Sequence, residues 1–126
     1  MELAMKLLKE KYGVCRLEVK DSTPDWAITG EFYSITKTSD ELSILCSEGN
    51  IPSGVKCERD WRILKVEGPL DFSLVGILSS IAAVLAKVKI SVFVISTYDT
   101  DYILVKEKNL TKSIDSLQAE GYNIIK

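Results

Sequence analysis

The run Ile90-Ser91-Val92-Phe93-Val94-Ile95-Ser96-Thr97-Tyr98-Asp99-Thr100-Asp101-Tyr102-Ile103-Leu104-Val105 holds two β-prone segments around a polar turn. Ile90 to Ser96 is β-branched and alternating, which predicts a strand. Thr97 to Thr100 is turn-forming, and Asp101 to Val105 is the returning strand of a hairpin. Upstream, Phe72 to Lys87 is too long for a strand and uses small and γ-branched residues, which predicts a helix. Asp71 can cap its first turn, with Ser73 the alternative. Further upstream, Trp61 to Val66 is a strand closed by Gly68-Pro69. Downstream, Asn109 is placed to cap a helix over Leu110 to Glu120, with Ile114 and Leu117 on its buried face. Gly121 ends that helix, and Tyr122 to Ile125 is a last strand. The order is β-α-β-β-α-β, the split-βαβ or ferredoxin-like arrangement of the α+β class. Four antiparallel strands with both helices on one face are expected.

The first half repeats this scheme incompletely. Tyr12 to Val19 is a strand, and Asp21 to Gly30, with Pro24 and Trp26, is a loop. Glu31 to Lys37 and Glu41 to Cys46 form a hairpin around Thr38-Ser39-Asp40. Gly49 to Gly54 is a short connection with room for one helical turn. Leu3 to Leu8 suits a helix or a strand; a strand hairpinning onto Tyr12 to Leu17 is preferred. The half resembles the second with its first helix missing and its second shrunken. Two subdomains are therefore expected, residues 1–60 degenerate and 61–126 complete.

Composition narrows the function. The 126 residues are 46% hydrophobic with a formal charge of −2, which excludes a disordered chain. Sixteen Lys and Arg against 18 Asp and Glu leave no electrostatic footprint for nucleic acid or an anionic membrane surface. There is no histidine, which removes the commonest general base and zinc ligand and the Ser-His and Cys-His nucleophile pairs. Cys15, Cys46 and Cys57 are odd in number and form no C-x-x-C, so they read as buried free thiols in a reducing compartment. No metal and no cofactor is expected. The apolar run Leu74 to Ala86 would reach about 20 Å as a helix, short of a bilayer core of about 30 Å. The chain reads as cytoplasmic.

Three features invite a functional reading. The helix over Leu74 to Ala86 is large on one side and small on the other, at Gly76, Ser79, Ala83 and Ala86. The small side asks for a cover, either an internal layer or a second chain. Asp99 and Asp101 form a carboxylate pair that suits turn chemistry better than acid–base work or Mg²⁺. Gly68 to Ser73 joins a strand to a helix N-terminus, where free N–H groups suit an anion; no glycine-rich nucleotide motif accompanies it.

The unit Trp61 to Ile125, with the run Ile90 to Val105, resembles an ACT domain, the small-molecule regulatory module of aspartate kinases. Phe32-Tyr33-Ser34-Ile35-Thr36 and Met1-Glu2-Leu3 extend the likeness to tandem-ACT arginine sensors and bacterial two-ACT proteins. The resemblance implies a non-enzymatic regulatory or sensor protein. It also implies a free amino acid or similar small molecule bound between ACT domains of a homodimer. Ser91 and Val92 would contact the ligand from one domain. Asp71, Phe72, Ser73 and Leu74 would form the opposing loop, and Asp101 would hold a cationic group. Tyr98 and Asp99 would meet a regulated protein partner. Arginine sensors carry an acidic residue where this chain has Leu74 or Ser73, so the resemblance does not carry arginine over as the ligand. The alternative is a protein-interaction module that binds no ligand and uses the Tyr98–Asp101 turn.

Overall fold

The computed structural model describes residues 3–68 and 75–126. The chain divides into two compact units, Met1–Lys9 with Arg62–Lys126, and Glu10–Trp61. Among the described residues the eight strands are β1 (Ala4–Leu7), β2 (Tyr12–Leu17), β3 (Ser34–Lys37), β4 (Leu42–Ser47), β5 (Cys57–Val66), β6 (Phe93–Ser96), β7 (Asp101–Lys106) and β8 (Asn123–Ile125). The helices are α1 (Ile77–Lys87) and α2 (Leu110–Ala119). This is the expected α+β class.

In the unit containing both helices, β7 pairs with β5 and β6. The preferred hairpin of the earliest strand with Tyr12–Leu17 does not form. Instead β1 pairs antiparallel with β5 and parallel with β8, with Met5 opposite both Val66 and Ile124. The sheet of this unit thus gains a fifth strand and is not wholly antiparallel. Met5 is fully buried there with Leu64, Val66, Ile81, Leu85, Ile103 and Leu117. The alternation of Ala4–Leu7 specifies a buried face but not which strand lies alongside.

α1 begins at Ile77, five residues later than its apolar pattern suggests. Gly76 precedes it at φ +80°, a conformation that interrupts a right-handed helix, and no side chain caps it. Asp71 and Ser73, the expected caps, lie outside the described residues. α2 matches its expected span to within a residue, and Ile114 and Leu117 are buried as expected. Asn109 stands at its N-cap but makes no side-chain cap bond; a 3-10 turn, Glu107–Asn109, leads in. Ser113 Oγ donates to the Asn109 carbonyl at 2.8 Å. Gly121, at φ +94°, ends the helix. Its N–H donates to Gln118 and that of Tyr122 to Leu117, the two bonds of a Schellman motif. α1 ends with the same two bonds, Lys89 to Ala86 and Ile90 to Leu85, but here the left-handed residue is Lys89 at φ +61°.

The unit Glu10–Trp61 has no α-helix. β2 pairs with β4 and with the first part of β5, and β3 pairs with β4. A 3-10 turn at Asp25–Ala27 stands where the other unit has α1, and a second at Glu48–Asn50 follows β4. Its core is Cys15, Ala27, Leu42, Ile44, Cys46 and Ile51.

Candidate functional site

The β6–β7 hairpin is built by the residues that the turn chemistry demands. Ser96 pairs with Asp101, which leaves the four-residue loop Thr97–Thr100. The Thr97 N–H donates to the Thr100 carbonyl at 2.8 Å, and the Thr97 hydroxyl accepts from the Thr100 N–H at 3.3 Å. Thr100 is buried, and its hydroxyl donates to the Val66 carbonyl at 2.6 Å, which fastens the turn to the end of β5. The Asp101 carboxylate accepts from the Ser96 hydroxyl. Asp99 is exposed and Tyr98 is 82% exposed. The threonines therefore close the turn, and Asp101 braces its neck. Tyr98 and Asp99 lie exposed at the tip of the loop.

Ser91 and Val92 lie at the other end of the same hairpin. They precede β6, whereas the sequence pattern extended the strand back to Ile90. The end of α1 explains the difference: Lys89 turns left-handed and Ile90 is drawn down, buried, onto Leu85. Ser91 is exposed and Val92 half-buried. Phe93 pairs with Leu104 and Ser96 with Asp101, so the hairpin's two ends stand about 10 Å apart along β6. Asp101 belongs to the end that meets Val66, the end of the strand leading into residues 69–74. Ser91 and Val92 belong to the opposite end. Asp71, Phe72, Ser73 and Leu74 lie outside the described residues.

A groove of about 440 Å³, not foreseen from sequence, runs along α1 and is lined by Ser80, Ala83, Val84, Lys87, Glu120 and Tyr122. Gly76, Ser79, Ala83 and Ala86 are exposed, so none of the described residues covers the small face of α1. Of the small-residue stripe only Ala83 lines the groove, which is completed by Lys87 at the end of α1 and by Glu120 and Tyr122 beyond α2. Arg62, largely buried, joins Glu107 at 3.0 Å and donates to the Leu8 carbonyl at 3.3 Å, bonds that brace β5. Among the described residues no group of three or more Cys, Asp or Glu side chains is arranged to hold a metal ion. Among them, too, no helix is long and apolar enough to cross a membrane.

A sheet carrying two helices and a tightly closed hairpin defines a small α+β module, and similarity to known proteins places it. The model of the ACT domain matches residues 56–119, and a model of an N-terminal domain matches residues 10–54. The chain belongs to the ACT-domain family. The cytosolic arginine sensor for mTORC1 subunit 1 of Bos taurus is 32% identical over 101 residues, covering 71% of this chain and 31% of the sensor. The chain thus spans about a third of that relative's length. The crystal structure of an Agrobacterium tumefaciens protein is 38% identical with a TM-score of 0.93, covering 99% of this chain and 93% of that one. An aspartate kinase of Clostridium acetobutylicum shares the fold at 12% identity and a TM-score of 0.64, over 94% of this chain and 34% of its own.

Proposed function

We propose that the chain is a non-enzymatic regulatory protein that binds a free amino acid, or a similar small molecule, between ACT domains of a homodimer. The observation that carries this reading is the division of the candidate residues between two ends of one hairpin. Ser91 and Val92 stand at one end; Asp101 stands at the end that meets the strand leading into Asp71–Leu74. One small ligand reaches both sets most simply when each comes from a different domain. The exposed small face of α1 supports a second copy as the other contributor. Membership of the ACT family and the likeness to an arginine sensor support the ligand class. Residues 1–60 and 61–126 serve in this reading as a degenerate and a complete ACT subdomain, with Met1–Lys9 lending a strand to the complete one. The ligand acts by differential binding: it stabilises one arrangement of domains, and a partner reads that arrangement. The absence of histidine from the sequence supports the non-enzymatic assignment.

Thermal unfolding against each of the twenty amino acids tests this. One of them, at about a hundred times its Kd, should raise the Tm on the order of 5–10 °C. The same ligand should lose that effect on Ser91→Trp, which fills the strand end. No shift with any amino acid, or a shift that Ser91→Trp leaves intact, would sink the interface site. A second reading rests on the exposure of Tyr98 on its braced turn: an interaction module that binds no ligand. Absence of every thermal shift, with partner binding lost in Tyr98→Ala, would favour it.

A further inference from the structure

Three thiols meet in the unit Glu10–Trp61. Cys15 and Cys46 are buried and Cys57 is half-buried, and all three are unbridged. Cys15 on β2 stands directly opposite Cys57 on β5. The Arg16 N–H donates to the Lys56 carbonyl at 3.0 Å, one residue beyond Cys15 and one before Cys57. The two cysteines are therefore flanked, not joined, by a ladder hydrogen bond. This is the narrow kind of antiparallel pair, with Cα atoms about 4.5 Å apart. A disulfide accepts Cα separations of about 4.4–6.8 Å, so the backbone need not move to close one. Cys46 is placed differently. It stands opposite Gly13, two residues along β2 from Cys15, a diagonal neighbour whose thiol also hydrogen-bonds with that of Cys15.

Gly13 makes the space for this cluster. A Cβ at that position would lie 2.8 Å from the Cys57 sulfur and 2.5 Å from Ile51 Cδ1. The Cys15 and Cys57 side chains share the face of the sheet that carries Ile44 and Cys46, and Cys57 packs at the margin of that core. Cys15 and Cys46 are both fully buried, and Cys57, half-buried, is the thiol through which a small solvent-borne oxidant enters the cluster.

We propose that Cys15 and Cys57 are a redox modification site, closed by peroxide into a reversible cross-strand disulfide. The Cys57 thiolate attacks one oxygen of hydrogen peroxide. A S–O bond forms, the O–O bond breaks, and the leaving hydroxide takes up a proton as water. The Cys15 sulfur then attacks the Cys57 sulfenic acid. The S–S bond forms, the S–O bond breaks, and the departing hydroxide takes the Cys15 proton as a second water. Two thiols lose two electrons and two protons, and one peroxide is reduced to two waters. Burial, and then the neighbouring Cys15 thiol, push the Cys57 thiol up to about 12. The attacking thiolate is scarce at neutral pH, and the reaction speeds up about tenfold for each pH unit below that value.

The experiment treats the native chain with excess hydrogen peroxide at about pH 8 and about pH 9, followed by intact mass and non-reducing peptide mapping. The expected product has lost two hydrogens, carries a Cys15–Cys57 link and reverts with dithiothreitol. It forms about tenfold faster at the higher pH. Cys46→Ala should keep the link, and Cys57→Ser should lose it. A link through Cys46, over-oxidation of Cys57 without a link, no reaction, or a link that appears only after unfolding would each overturn the assignment.

Discussion

The β3–β4 and β6–β7 hairpins have the same strand lengths, the same register and the same turn, yet only the second is followed by an α-helix. A constant offset carries Ser34 to Phe93, Leu42 to Asp101 and Glu48 to Glu107, the first residues of the two strands and of the 3-10 turn after them. Identical residues fall at Thr38 and Thr97, Asp40 and Asp99, Ile44 and Ile103, and Asn50 and Asn109. The turns close alike: the Thr38 N–H donates to the Glu41 carbonyl at 2.9 Å, and the Thr38 hydroxyl accepts from the Glu41 N–H at 3.1 Å. The chains diverge after the shared asparagine. Leu110-Thr111-Lys112-Ser113-Ile114 continues as α2, whereas Ile51 is extended and Pro52 and Gly54, the latter at φ +89°, stop any helix. The lesson is that the hairpin is specified by its own turn and register, and the helix is an independent addition that changes only what covers it. One hairpin is backed by Ile81, Leu85, Ile114 and Leu117; the other by Ala27, Ile51 and Trp26.

That contrast can be broken most strongly in the cores. Ile103→Ala and Ile44→Ala remove equivalent buried side chains, and each should cost about 2–5 kcal/mol. The loss should be greater at Ile103, where two helices hold the cavity open and limit collapse. Urea unfolding of the two variants measures it; a larger loss at Ile44 would mean that the unit lacking helices is the better packed. The helix ends sharpen the comparison next. Gly121→Ala places a side chain in a left-handed position with open space around it, so the cost of about 1–2 kcal/mol is conformational alone. Lys89→Gly should do the reverse at the end of α1, adding up to about 1 kcal/mol in the same assay. The smallest effect belongs to the turns. Thr38→Ala and Thr97→Ala should each lose about 0.5–1.5 kcal/mol, and the two losses should match. A clear difference between them would deny that the turns are one device used twice.

The parts of this fold legible in the sequence are those governed by near neighbours. The Thr97–Thr100 turn, the buried face of α2 and Gly121 all announce themselves within a few residues. The position of β1 did not, because alternation in Ala4–Leu7 fixes a face and not a neighbour. The start of α1 was hidden by an apolar run that continues smoothly through Val75, while Gly76 gave the only local warning. Ser91 and Val92 look like strand because they are followed by one; the pull of Ile90 onto Leu85 comes from the helix before. Of the site, the turn residues were readable, whereas the groove along α1 depends on how two helices and Tyr122 come together. The three cysteines are spread over more than forty positions, and only the β2–β5 and β2–β4 registers bring them into one place.

The placement of β1 between β5 and β8 bears on how the molecule is assembled. The unit carrying both helices is not one continuous stretch of chain: β1 precedes the Glu10–Trp61 segment, whereas the end of β5 and the whole of β8, between which it lies, follow that segment. A piece cut at Trp61 would carry both helices and the hairpin but would leave β5 and β8 with facing, unfilled ladders. Sequence-distant pairing of this kind slows folding, since the ends of a long loop must meet before any contact rewards them. It also means that the sheet of the unit carrying both helices is completed only when Ala4–Leu7 is present.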